Sequence, residues 1–106
     1  MDEHEKFLWI SLPREVDHYH VEKLGRQVDE ELLQKPVECL VFDFKETDFM
    51  DSSGVGLVMG RLRTIRTFGG RVYLTNESRR IRQMFQVSGV YEYMGSLADT
   101  EKEEEE

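Results

Sequence analysis

The sequence has little of what stabilises secreted or membrane proteins. Cys39 is the only cysteine among 106 residues, so an intramolecular disulfide is excluded. No run of about 18 apolar residues is present, so a membrane-spanning helix is not expected. The first residues are mostly charged and are not followed by the apolar core of a signal peptide. We therefore expect a cytoplasmic protein without a membrane association.

The charge is unevenly distributed along the chain. The formal net charge is −8, yet seven arginines lie between Arg61 and Arg82. Solvated helix faces account for most of these arginines, and the acidic chain as a whole argues against nucleic acid as a partner. Residues 99–106 are acidic and contain no apolar residue, which predicts a disordered tail after a single domain at residues 1–98.

Apolar spacing predicts alternating strands and helices. Short apolar runs rich in β-branched and aromatic residues predict strands, and apolar residues at spacings of three and four predict helices. The predicted strands cover residues 7–12, 37–44, 71–75 and 90–94, and the predicted helices cover residues 18–34, 51–67 and 78–88. This order predicts an α/β fold with a mixed sheet of four to five strands and helices packed against it.

An Asp-Ser-Ser-Gly step opens the second predicted helix, after a short connection from the second predicted strand. Asp51 or a serine is suited to capping the helix, and the first backbone N–H groups carry partial positive charge. A hydroxyl at this step lies where an anion is favoured, in particular a phosphate carried on a serine. Asp17 follows the first strand and is expected to cap the first helix. In an α/β fold both sites lie beyond the carboxyl ends of the strands.

Two other functions deserve comparison with this phosphate-acceptor interpretation. A hydrolase would use Ser52 with Asp17 and a histidine, but the Gly-x-Ser-x-Gly elbow is absent. A small nucleotide-binding regulatory module would use Gly54-x-Gly56-x-x-x-Gly60, but the spacing differs by one residue from the dinucleotide fingerprint. No Gly-x-x-x-x-Gly-Lys loop is present either, so we expect no bound nucleotide, metal or other cofactor.

Several segments in fixed order resemble the STAS-domain anti-sigma factor antagonists, most closely the antagonists of the sporulation anti-sigma F factor. The resemblance covers roughly residues 7 to 95. It is carried by Glu15-Val16-Asp17-His18, by Phe49-Met50-Asp51-Ser52-Ser53-Gly54-Val55-Gly56, by Gly60-Arg61, by Gly69-Gly70 and by Met84-Phe85-Gln86-Val87-Ser88-Gly89-Val90. Three features depart from the family pattern. Arg14 stands where the family usually has glycine, the family's N-terminal strand is missing or shortened, and an acidic run replaces part of its last helix.

The resemblance implies a partner-switching regulator that is not an enzyme. In this family the unmodified protein binds an anti-sigma factor that is also a serine kinase, and so releases the sigma factor. The kinase then phosphorylates the serine after the motif aspartate, here Ser52, and a PP2C-type phosphatase removes the phosphate. The same resemblance admits a stress-response pathway instead of sporulation.

The expected partner surface surrounds this serine. Gly54 and Gly56 are expected to leave the first helical turn bare for a partner. The inward stripe predicted for this helix is formed by Val55, Val58, Met59, Leu62 and Ile65. Leu57 lies off this stripe and is expected to be exposed, and Arg61 is expected on a solvated face as a further contact. Ser53 is expected to bond within the first turn. The predicted partner-binding residues are Asp17, Asp51, Ser52, Ser53, Gly54, Gly56, Leu57 and Arg61. The free protein is expected to be a monomer.

Overall fold

The computed structural model describes residues 6–94. In this range strands and helices alternate, and a 3₁₀ helix follows the last α-helix. The elements in chain order are β1 Phe7–Ser11, β2 Glu15–Val16, α1 Val21–Gln34, β3 Cys39–Asp43, β4 Phe49–Met50, α2 Ser52–Arg66, β5 Arg71–Thr75, α3 Arg79–Ser88 and the 3₁₀ helix Val90–Tyr93. No helix in the described range is long and apolar enough to cross a membrane.

The strands form two parallel sheets. The larger sheet has the order β1-β3-β5, and its register aligns Ser11, Asp43 and Thr75 at one edge. The smaller sheet pairs β2 with β4, with Val16 opposite Met50. The predicted α/β class is confirmed, and every pairing among the described strands is parallel. All carboxyl ends of the larger sheet therefore meet at the same edge, as expected for a functional site.

The centre of the fold is β3, which is buried on both faces. Leu40 and Phe42 point into the main core with residues of the three α-helices, whereas Cys39 and Val41 belong to a second cluster with Tyr73. Alternating residues of a strand point to opposite faces. The continuous apolar run at Cys39–Phe42 is therefore explained by burial on both faces of the sheet.

The helix ends follow local sequence signals. Asp51 caps α2, and the Ser78 hydroxyl caps α3 by accepting a hydrogen bond from the Ile81 N–H at 3.2 Å. Gly89 ends α3 at a φ of 80°, a left-handed conformation that favours glycine. Gly69 adopts a φ of 78° in the turn after α2. The predicted bounds of the second and third helices are therefore confirmed to within one residue.

Two predicted elements differ from the structure. Helix α1 begins at Val21 and not at residue 18, because residues 17–20 form a turn in which the Asp17 carbonyl accepts from the N–H groups of His20 and Val21. The predicted last strand is the 3₁₀ helix. Its Val90 is fully buried, and the Tyr91 ring packs edge-on against Phe85, so this segment completes the core and adds no strand. The predicted tail at 99–106 lies outside the described residues.

The side of α2 that the structure buries is wider than predicted. The stripe of Val55, Val58, Met59, Leu62 and Ile65 does face the core, but α2 also packs against α1 on one side and α3 on the other. The spacing of apolar residues in α3 also placed Val87 inward, and this was wrong because its side chain is 89% exposed.

Candidate functional site

The smaller sheet brings the two acidic loops of the site together. Asp17 follows β2 directly and Asp51 follows β4 directly, and the last residues of these strands, Val16 and Met50, are register partners. The Asp51 N–H continues the pairing by donating to the Val16 carbonyl at 3.2 Å. A pairing of only two residues on each strand thus fixes the loop before α1 against the start of α2.

The Asp51 carboxylate organises this junction. Its Oδ1 accepts hydrogen bonds from the Ser53 N–H at 2.9 Å and from the Ser53 hydroxyl. Its Oδ2 accepts from the His18 N–H at 3.3 Å, and His18 Nδ1 lies 3.8 Å away. The Ser53 hydroxyl and these backbone donors lower the pKa of Asp51 below its usual value, against the opposing effect of desolvation. The cap is therefore ionised at neutral pH.

The two serines of the step have different environments. Ser52 is the first residue of α2 and is exposed, and its side chain makes no hydrogen bond to any residue between 6 and 94. Ser53 is partly buried, and both its hydroxyl and its N–H are bonded to Asp51. The prediction that Ser53 bonds within the first turn agrees with this, although the acceptor is the Asp51 side chain. Only the Ser52 hydroxyl is available to another molecule.

The two glycines of the motif also differ. Gly54 is buried, and a Cβ there would clash with Met50 Cγ and lie 3.1 Å from Val16 Cγ1. The first turn of α2 therefore sits directly on the β2–β4 pair, and the expectation that Gly54 leaves a bare surface for a partner was wrong. Gly56 is exposed, and a Cβ there would meet nothing within 4 Å. This glycine does leave an open surface.

Leu57 and Arg61 belong to the contact between α1 and α2. Leu57 is 4% exposed, so its expected exposure was wrong. The Arg61 side chain is 18% exposed, and its Nε lies 3.2 Å from Asp29 Oδ1 of α1. Arg61 Nη1 also fills the space beside Gly25, where a Cβ would lie 2.5 Å away. The expected solvated position of Arg61 was therefore wrong as well, because α1 covers this side of α2.

Asp17 and its neighbours form a turn before α1. Asp17 Oδ1 lies 2.6 Å from His20 Nδ1 and accepts from the Tyr19 N–H at 3.2 Å. Glu15, Asp17 and His20 each offer one possible metal-ligand atom, and these three atoms lie within 4.8 Å of one another. The turn geometry alone accounts for the Asp17–His20 contact. Neither His18 nor His20 bonds to Ser52, so the described residues assemble no nucleophile–base pair of the hydrolase type.

A second polar cluster, at the carboxyl end of the larger sheet, was missed from the sequence. Asp43 Oδ2 accepts from Trp9 Nε1 at 3.1 Å, and its Oδ1 accepts from the Lys45 N–H at 2.9 Å and from Asn76 Nδ2 at 3.0 Å. Desolvation opposes ionisation of Asp43, but these donors together hold its pKa below the usual value. The cluster ties the ends of all three strands of the larger sheet together, which makes a rigid support for the loops.

A groove between α2 and α3 lies beside Ser52 and was also missed. Its volume is about 830 Å³. The groove is lined by Ser52 and Val55 of α2 and by Arg80, Gln83, Met84, Gln86, Val87 and Ser88 of α3. The sequence signal for this groove was Val87, because it is an apolar residue on the polar side of a strongly amphipathic helix. Its spacing had instead suggested an inward position.

The comparison with protein families identifies the class. The STAS domain family matches residues 1–104, and the chain belongs to this family. Two relatives are named anti-sigma F factor antagonist. The one from Lysinibacillus sphaericus is 39% identical over 85 residues, 80% of this chain and 73% of that protein, and the one from Paenibacillus polymyxa is 30% identical over 94 residues, 89% of this chain and 80% of that protein.

Solved structures and a third relative extend this result. The unphosphorylated form of the anti-sigma factor antagonist SpoIIAA matches with a TM-score of 0.77 and 36% identity, over 92% of this chain and 85% of that one. The phosphorylated form of SpoIIAA, a Bacillus cell fate determinant, matches with a TM-score of 0.70 and 35% identity, over 95% and 91%. An anti-sigma-B factor antagonist of Staphylococcus aureus is 27% identical over 99 residues, 93% of this chain and 91% of that protein. The resemblance inferred from the sequence is confirmed.

Proposed function

We propose that this chain is an anti-sigma factor antagonist of the sporulation type, switched off by phosphorylation at Ser52. The unmodified form binds an anti-sigma factor that is also a serine kinase, and this binding releases the sigma factor. The single observation that supports the proposal is the exposed, unbonded Ser52 hydroxyl at the start of α2, in a fold whose structural relatives include an unphosphorylated and a phosphorylated antagonist.

Phosphorylation of Ser52 changes the surface more than the fold. A phosphate adds about −1.5 to −2 charge at neutral pH, next to the ionised Asp51. Asp51 caps α2 by accepting hydrogen bonds from Ser53 and also accepts one from the His18 N–H, and none of these bonds uses the Ser52 hydroxyl. The helix N-terminus also tolerates an anion. A partner surface that fits a neutral hydroxyl would have to desolvate the phosphate, so binding is lost while the helix remains.

The proposed partner surface is smaller than the sequence suggested. It contains Ser52, Gly56 and the neighbouring loop with Asp17, together with the exposed edge of Asp51. Ser53, Gly54, Leu57 and Arg61 support this surface from within. The chain has no Gly-x-x-x-x-Gly-Lys loop, so the kinase partner supplies the nucleotide for phosphoryl transfer, and a separate PP2C-type phosphatase restores the active form.

A kinase assay with site mapping tests the phosphosite. The protein is incubated with its anti-sigma factor and Mg-ATP, and peptide mass spectrometry locates the phosphate. We expect one phosphate, on Ser52, and none on the Ser52→Ala variant. Ser53→Ala is the matched control and should still be modified at Ser52. A phosphate on Ser53, or an unmodified protein in the presence of an active kinase, would contradict the proposal.

A stress-response antagonist is the second candidate, because a relative named for sigma B shares 27% identity over most of the chain. The anti-sigma F antagonists are more similar, at 39% and 30% identity. Parallel binding measurements with an F-type and a B-type anti-sigma kinase separate the two candidates. Preference for the B-type kinase would move the protein to the stress-response pathway and leave the Ser52 switch intact.

We further propose a cytoplasmic monomer with one domain at residues 1–98 and an acidic tail at 99–106. The relatives in the STAS family that match this chain are named as regulators and not as enzymes. Limited proteolysis followed by intact-mass analysis checks the boundary near residue 98. Sedimentation analysis of the unmodified protein checks the monomer.

A further inference from the structure

The groove between α2 and α3 is lined by both the phosphate acceptor and a cation. Helix α2 follows β4 of the smaller sheet, and α3 follows β5 of the larger sheet. Ser52 is the first residue of α2 and Arg80 is the second residue of α3, and both line this groove. These two residues therefore line the same open surface groove.

Arg80 is exposed and has no acidic partner in the described part of the chain. Arg82 in the same helix lies 3.8 Å from Glu77, and Arg61 is paired with Asp29. No carboxylate within residues 6–94 lies at ion-pairing distance from Arg80. The adjacent Arg79 carries the same charge and is also exposed, but it does not line the groove.

We propose that Arg80 binds the phosphate on Ser52 across this groove, so that the phosphorylated form is held by an intramolecular clamp between α2 and α3. The proposal rests on Ser52 being the phosphorylated residue. A guanidinium donates two N–H groups to phosphate oxygens in a planar, bidentate arrangement that an ammonium does not match. The resulting contact joins the first turns of the two helices.

The charge on Asp51 favours this direction for the phosphate. Asp51 is ionised and fixed by its bonds to Ser53 and His18, so it repels a neighbouring phosphate and cannot move away. On the groove side the phosphate meets Arg80 and the apolar side chains of Val55 and Met84. The phosphate then lies over the groove instead of projecting from the helix end, and it covers the apolar surface there.

Phosphorus NMR on protein with genetically encoded phosphoserine at position 52 tests the clamp without any kinase. The second pKa of phosphoserine is about 6, and a nearby cation lowers it. We expect Arg80→Ala to raise this pKa by about half a unit or more, whereas the control Arg79→Ala, with the same change in charge, raises it by less than about 0.2. His18 is present in all of these variants, so any effect it has on the phosphate cancels in the comparison.

A second measurement reads the contact directly. The Arg80 side-chain Nε–Hε resonance should shift downfield on phosphorylation, and Arg80→Lys should restore only part of the lowered phosphate pKa. Equal pKa changes for the Arg79 and Arg80 variants, or an unmoved Arg80 resonance, would overturn the clamp. Failure of the kinase assay would instead overturn the phosphosite, so the two outcomes remain distinguishable.

Discussion

The inward and the outward face of the first two turns of α2 differ in whether their residues have structural partners. On the inward face each residue has a structural partner: Ser53 bonds to Asp51, Gly54 lies against Met50 and Val16, and Leu57 is buried beside α1. On the outward face, Ser52 makes no side-chain bond within the described residues, and Gly56 faces open space. One short motif therefore mixes residues that hold the helix with residues that have no structural task.

This difference teaches how a family motif should be read. A residue whose neighbours explain its identity needs no functional role, and a residue without such neighbours is the better candidate for recognition. Ser52 and Gly56 pass this test, and Gly54 and Leu57 do not. The following substitutions change one face at a time, and their expected effects are given from the largest to the smallest.

A phosphate on Ser52 should have the largest effect, and on binding alone. Encoded phosphoserine at this position should weaken binding to the anti-sigma kinase by about 4 kcal/mol, roughly a thousandfold, because the charged phosphate would be desolvated in an interface that fits a neutral hydroxyl. Ser52→Ala should stay within about threefold of the wild-type affinity. Calorimetry measures the affinities, and backbone chemical shifts report on the fold. Wide shift changes through the core with unchanged affinity would contradict a switch that acts on the surface.

Leu57→Ala should have the largest effect on stability. Removing a buried leucine side chain costs about 3 kcal/mol from transfer and cavity formation. The matched control is Val87→Ala, which removes an exposed side chain and should change the free energy of unfolding by less than about 0.5 kcal/mol. Urea denaturation with an unchanged m-value measures both. A loss of unfolding free energy no larger than that of the control would mean that Leu57 belongs to the outward face and is not buried.

The sequence predicted the features that depend on neighbouring residues. The cap at Asp51, the end of α3 at residue 88 and the apolar strand β3 were all predicted, because each depends on a few residues and on backbone chemistry. The pairing of β2 with β4 was not visible, since two residues show no periodicity and the pairing depends on contacts between distant segments. Yet that pairing positions Asp17 against Asp51.

The buried side of α2 shows the same limit. A single stripe predicted which residues face the sheet, and it did so correctly for Val58, Leu62 and Ile65. It missed Leu57 and Arg61, because it did not include burial by α1 at the side of the helix. Gly25 in the middle of α1 was the available signal, since a glycine inside a helix often marks a close approach of another element.

The two motif glycines offer a matched pair of smaller effects. Gly54→Ala should destabilise the protein by about 1–2 kcal/mol, because the added Cβ overpacks against Met50 and Val16 by more than the gain in helix propensity. Gly56→Ala should stabilise it by about 0.5–1 kcal/mol, since the new methyl group meets no neighbour. Thermal unfolding measures both changes. Equal effects of the two substitutions would remove the distinction between the faces.

The smallest effect concerns the pH dependence of the stabilisation that the Asp51 cap of α2 provides. The folded state lowers the pKa of Asp51, so its ionised form stabilises the protein above the pKa of the unfolded chain, and this contribution is lost as the pH falls through the folded-state value. Asp51→Asn keeps an acceptor oxygen but removes the charge. The stability difference between wild type and this variant should be constant between about pH 6 and 8 and should shrink below about pH 4.

Urea unfolding at each pH measures this difference, with Asp48→Asn as a control on an exposed aspartate that caps no helix. A difference that persists unchanged at low pH would mean that the charge on Asp51 does not contribute to the cap.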